Sequence, residues 1–301
     1  MYTTWSYLEA FMACELLSKV LDIPSWVPDW STPLKREDNY FTTGNTSARI
    51  AAQPTFDKTG LRCTVSGVRA GLVQSRRFTR EEFNRFVRAL KPPEESSTDL
   101  YMTGHTLSEV CCRVLVANGF RDTRLPPDPR LPDFARSLNL LKLAWSDDAS
   151  GTDFGHVHSN LHFHHMQQVT QTRWVCKTPE GYLGLAPIEA QFGDVLCVLL
   201  NCAFPVILRI AASYTWLLVG PCYAHGLMNG EGIYRNSRFN RSGRDGHTEM
   251  FNPENGLPYL SAEETLEEGG IKVESTREAP YQPFVAPEIL RAAGIQVEDF
   301  V

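Results

Sequence analysis

The residues from Arg173 to Ile233 constrain the fold more than any other part of this chain. Trp174 to Cys176 and Tyr182 to Leu185 flank Pro179-Glu180-Gly181, a combination that sets up a tight hairpin turn. Gly193-Asp194 then opens an apolar run from Val195 to Leu200, too short for an ordinary helix and rich in aliphatic side chains. Asn201 to Phe204 turns the chain back into Pro205 to Ile210, and a third apolar strand follows from Tyr214 to Val219, closed by Gly220-Pro221. The pattern predicts a β-meander over 173–233. Strands this apolar on both faces need cover from the rest of the chain.

The remaining sequence supplies candidates for that cover. Trp5, Leu8, Met12, Leu16 and Val20 recur at three- and four-residue spacing and predict an N-terminal helix ended by Pro24. Ser25 to Trp30 is rigid and aromatic, suited to lying across a sheet as a clamp; in the alternative reading Trp26, Asp29 and Trp30 line a pocket. Residues 31–60 read as polar and irregular. A β segment over 61–73 is expected to join the meander, with Gly67 and Gly71 marking bulges. Thr79 with Glu82 and Thr106 with Glu109 are capping boxes for two helices, the second with Gly119 as its C-terminal cap. Two more helices are expected near Asp133 to Trp145 and Asn160 to Thr170, with an acidic loop from Ser146 to Gly155 between them. The prediction is one α+β domain over 1–235. It comprises a helix and clamp over 1–31, a strand over 61–73, a helical insertion over 79–170 and an antiparallel, barrel-like meander over 173–233. Residues 236–301 read as a loosely attached tail with short helices near Ser261 to Glu268 and Pro287 to Ala293.

Composition narrows the function. A formal charge of −6 and a pI near 5.8 argue against a nucleic-acid partner. No run reaches the length of a membrane-spanning helix, and Glu9, Glu15 and Lys19 break any secretory leader. Eight scattered cysteines without a CxxC pair read as reduced, buried thiols of a cytoplasmic protein.

Three groups carry possible chemistry. His156, His158, His162, His164 and His165 cluster, but without HExxH or a companion cysteine pair; they read as a solvated, titratable helix face, and no metal is expected. Cys222, Tyr223, His225 and Glu231 lie on a glycine-rich loop after an apolar strand. There His225 and Glu231, with Asp29, are candidates for acid–base catalysis, and Cys222, Tyr223, Trp26 and Trp30 for a ligand pocket. Shaping of the loop by hydrogen bonds is the structural alternative. Asp194, at a strand start, is expected to bond turn amides and to pair with Arg209 at the end of the next strand. No phosphate-binding or dinucleotide motif is present, so no cofactor is expected.

Thr178 to Pro187, Gly193 to Leu200, Pro205 to Arg209 and Tyr214 to Glu231 follow one another in an order that resembles the region downstream of the HET domain in fungal heterokaryon-incompatibility-like proteins. Ile23 to Ser31, IPSWVPDWS, is similar to a phrase of the same family. The family's signature domain phrases are absent from the 301 residues. The resemblance implies a stand-alone module that works by contact with another protein in self/non-self recognition or its regulation. A second expectation is a cofactor-independent enzyme of cyclase or isomerase type, acting on an apolar small molecule of fungal secondary metabolism held between sheet and helices.

Overall fold

The computed structural model describes residues 11, 14, 21–31, 46–47, 54–74, 100–123, 127–145, 161–211, 215–234, 287–292 and 295–301. The expected N-terminal helical face, the helix after Thr79, the loop from Ser146 to Gly155, His156, His158 and the helix near Ser261 lie outside the described residues.

The chain enters the sheet through a hairpin. Strand β1 (Thr55–Phe56) pairs antiparallel with β2 (Cys63–Leu72). Asp57 shapes the turn between them by accepting from the amides of Leu61 and Arg62. Residues 31–60, expected to be irregular, therefore contribute a strand. Helix α1 (Leu107–Val114) starts at the anticipated capping box: Thr106 accepts from the Glu109 amide, and Glu109 accepts from the Thr106 amide at 2.7 Å. Its end differs from expectation. The helix stops at Val114, and Ala117 and Asn118, with φ of 49° and 58°, turn the chain before Gly119 is reached. Asn tolerates that left-handed conformation well, so Gly119 is not needed as the cap. Helix α2 (Phe134–Trp145) is opened by Asp133, which accepts from the Arg136 amide. Leu141 and Trp145 are buried on its expected face. Helix α3 (Leu161–Thr172) runs straight into the strands.

Those strands form two sheets rather than one continuous meander. Strands β3 (Arg173–Lys177) and β4 (Leu183–Pro187) are the predicted hairpin. Their sheet order is β3-β4-β8, where β8 is Tyr223–Ala224. The remaining strands, β5 (Val195–Leu199), β6 (Val206–Ile210) and β7 (Trp216–Pro221), join β2 in the order β1-β2-β5-β6-β7, antiparallel at each β2–β5–β6–β7 step. The register of β2 on β5 slips between Arg69 and Gly71, so Gly71 sits at a bulge as expected. Gly67 lies in regular register instead. A side chain there would come within 2.7 Å of the Val198 carbonyl oxygen, so close strand approach is what requires glycine.

Both faces of β5 are buried, which explains its unbroken apolar run. On one face Leu196 and Val198 pack with Val68, Ile207 and Val219 against Trp174, Cys176 and Ala186 of the second sheet. On the other, Val195, Cys197 and Leu199 pack with Val65, Val206, Leu208, Leu218 and Phe300, with Phe11, Cys14 and Trp26 across them. The helices cover the far side of the second sheet: Val110, Val114, Leu115, Leu141, Met166 and Val169 meet Val175, Leu185 and Tyr223. The expected cover of helices and clamp is therefore present, in layers.

The end of the chain corrects the expectation of a loose tail. After a four-residue helix α4 (Glu231–Tyr234) and helix α5 (Pro287–Ala292), strand β9 (Glu298–Phe300) pairs antiparallel with β2 at Val65 to Gly67. Leu290, Ile295, Val297 and Phe300 are all buried. The Trp216 amide at the start of β7 donates to the Val301 carbonyl at 2.7 Å, and the Trp216 and Phe300 rings meet edge to face at 5.3 Å. One backbone bond and one ring contact thus bring the end of the chain after β9 to the start of β7, and the sheet curls into a barrel-like half-cylinder. The fold is α+β, with an antiparallel, barrel-like sheet and a few helices.

Candidate functional site

The most concentrated polar chemistry lies where the loop after β8 meets the loop before α1. Tyr223 to Met228 is buried throughout. His225 is held there by its backbone, its amide donating to the Leu183 carbonyl of β4 at 2.9 Å. The facing loop, Tyr101 to His105, is pinched by its own amides: Tyr101 donates to the His105 carbonyl and Gly104 to the Tyr101 carbonyl. The Tyr101 hydroxyl clamps the two loops, accepting from the Leu183 amide at 3.0 Å and donating to the His225 carbonyl at 3.2 Å.

Side chains complete the junction. The Tyr223 hydroxyl is 2.9 Å from His225 Nδ1. His225 Nε2 lies 3.2 Å from Thr103 Oγ1 and 3.4 Å from His105 Nδ1, while Thr103 Oγ1 is 2.8 Å from His105 Nδ1. One direction of donation satisfies every group. Burial pushes the Tyr223 phenol far up, so it stays protonated, and His225 Nδ1 is the acceptor within its reach. His225 then carries its proton on Nε2 and donates to Thr103, whose hydroxyl donates to His105 Nδ1. Burial, reinforced by the Arg113 charge and opposed by Glu109, holds His105 below the usual histidine range and favours the neutral ring this chain requires. The arrangement is a neutral proton chain joining two loops.

The other sequence candidates are placed elsewhere or already engaged. Glu231 opens α4 and accepts from the Asn229 amide at 2.7 Å. Asp29 is buried and accepts from the amides of Leu21 and Ser31 and from the Ser31 hydroxyl at 2.5 Å, so it braces the clamp. Cys222 points away from Tyr223 into the core between the sheets, and burial pushes its thiol well above the ordinary range. Trp26 packs on Phe56 at 5.5 Å between ring centres, in the layer beneath the sheet. Its Nε1 is buried without a hydrogen-bond partner among the described residues, although a buried indole N–H usually finds one. Trp30 is 67% exposed. Tyr101, Thr103 and His105 were not legible as site residues; a histidine just before a capping box was the sole hint.

Two further expectations divide. Asp194 and Arg209 form the anticipated pair, bidentate at 2.8 Å, and Asp194 also accepts from the Gln191 amide. The solvated histidine face is corrected at His162. That ring is fully buried, stacked on Phe120 with centres 6.1 Å apart, and burial pushes its pKa down to about 4. His164 is exposed. All eight cysteines are buried and none is in a disulfide, and burial pushes Cys111, Cys112 and Cys176 up to about 12. Among the described residues no His/Cys/Asp/Glu group is arranged to hold a metal, and no helix is long and apolar enough to cross a membrane.

No curated protein and no solved structure matches the chain. Residues 142–240, about a third of the chain, match the family model of the Het-6 beta-barrel domain. That span takes in α3, the β3–β4 hairpin, strands β5 to β7 and the His225 loop. The matched span, which supplies β5 to β7 of the large sheet and half of the histidine junction while β1, β2 and β9 lie outside it, is a HET-related region, and this supports a role connected with heterokaryon incompatibility.

Proposed function

We propose that the protein acts by contact with another protein in self/non-self recognition of the heterokaryon-incompatibility type, or in its regulation. The observation that carries this reading is the match of the Het-6 beta-barrel domain to the strands at the centre of the fold. The chemistry of the site agrees with it. The histidine junction spends its hydrogen bonds on tying two loops together, Glu231 and Asp29 are taken up by backbone amides, and the Cys222 thiol is far from its reactive form. Large side chains stand in solvent instead, with Phe192 76% exposed and Trp30 exposed on the clamp. The cofactor-independent enzyme has less support, because Asp29 and Glu231 already accept from backbone amides and His225 is engaged with Tyr223 and Thr103.

The test is affinity capture with the purified full chain from lysate of the source organism, followed by identification of retained proteins. A partner held by the folded chain and lost on Trp30→Asp or Phe192→Asp supports contact as the mode of action. Recovery of no protein, together with a small molecule released only when the chain is unfolded, overturns it.

A further inference from the structure

The free side of β2 in the curled sheet is covered by a short strand that reaches it through α5 and the buried Ile295 and Val297. β9 spans three residues, and its one deeply buried side chain is Phe300. Its flanking contacts are exposed: Arg69 with Glu298 at 2.8 Å, Arg291 with Asp299 at 2.9 Å, and the Ser66 hydroxyl with Asp299 at 2.6 Å. Exposed ion pairs of this kind hold weakly. What lies beneath is strongly shaped. Without β9, the backbone of β2 at Val65 to Gly67 is an open sheet edge, the Trp216 amide loses the Val301 carbonyl, and Val65, Trp216 and Leu218 border an apolar slot. Arg69, stacked 5.5 Å over the Trp216 ring, presents a positive charge at its rim.

We propose that this edge is a strand-acceptor site, and that its occupant in association is the β9 strand of a second copy of this chain. The slot is complementary to the sequence Val297-Glu298-Asp299-Phe300: the aromatic enters the apolar layer beside Trp216, and Glu298 meets Arg69. The contacts made by a second copy's strand are identical to those of the chain's own, so the balance is set by tethering. Between Tyr234 and Pro287 the sequence runs through residues 235–286, and the advantage of a tethered strand over a free one falls steeply with tether length. This inference rests on the β9 contacts and not on the family match; it goes beyond protein contact by naming the surface and the partner.

Ser66 and Asp299 stand opposite each other in register, close enough for a disulfide between cysteines at those positions. Full-length Ser66→Cys and Asp299→Cys copies are mixed under mild oxidation and digested to find the 66–299 linkage. The Ser66→Cys/Asp299→Cys double variant, closing within one chain, shows that fold and register survive. The expected result is a disulfide between the two copies that rises with protein concentration and drops at least about tenfold when the Asp299→Cys copy also carries Phe300→Asp. Absence of the linkage up to about 1 mM, while the double variant closes on itself, overturns strand exchange. A linkage unaffected by Phe300→Asp overturns it as well, because it would not depend on the slot.

Discussion

His162 makes the protein sensitive to acid in a way that can be calculated. Its ring is fully buried against Phe120, with Phe163 edge-on at 5.7 Å, and its folded pKa lies near 4 against 6.5 in an unfolded chain. The main cause is burial; the neighbouring His165 adds to it. Because the folded pKa is depressed, the unfolded chain takes up the proton first. Stability from this group is complete above about pH 6.5, falls as pH drops toward 4, and is lost below. The shift of roughly 2.5 units corresponds to about 3 kcal/mol over the whole window, and to about 2 kcal/mol between pH 7.5 and pH 5.0. Replacing His162 by Phe keeps an aromatic ring against Phe120 and removes the titration. Urea unfolding of the wild type and His162→Phe, followed by tryptophan fluorescence at several pH values, isolates the titration of His162 together with its coupling to His165. The wild type is expected to lose about 2 kcal/mol more than the variant on going to pH 5.0. Stability curves that run parallel within about 0.5 kcal/mol would refute the buried, neutral histidine.

The same layers give further expectations. Phe300→Ala should cost about 3–5 kcal/mol in urea unfolding, whereas a loosely attached tail would give almost nothing. Asp194→Asn should cost about 2 kcal/mol, because it splits the bidentate contact with Arg209 and weakens the bond from the Gln191 amide; a neutral result would make the pair ornamental. A side chain at Gly184 would collide with the Tyr223 carbonyl across the β4–β8 ladder, so Gly184→Ala should destabilise by at least about 2 kcal/mol, measured in the same way. Nitrogen NMR of the histidine rings should show His225 protonated at Nε2 and unprotonated at Nδ1; the opposite tautomer would reverse the proposed proton chain.

How much of this could be read beforehand depends on the range of each interaction. The β3–β4 hairpin was legible because Pro179-Glu180-Gly181 carries its turn chemistry locally. Asp194 and Arg209 were legible because glycine and the apolar runs place them at strand ends. His225 could be singled out, but its partners Thr103 and His105 lie 122 and 120 residues away, and nothing periodic links the two loops. The family resemblance supplied the region but not the contacts within it. β9 was missed because Glu298 and Asp299 give a three-residue strand no apolar alternation, and Phe300 alone anchors it in the barrel layer. His162 was misjudged by association with His164 and His165. Its spacing with Met166 and Val169, four and seven residues on, places it on the apolar face of α3, and that periodicity was available.

The central claim is that a HET-related barrel works here through protein contact. The most direct measurement is native mass spectrometry of the full chain after exposure to lysate of the source organism, before and after mild unfolding. The account predicts a mass increment equal to a protein, reproduced across preparations and diminished by Trp30→Asp or Phe192→Asp. A chain that carries no protein but releases a small molecule only on unfolding would contradict it.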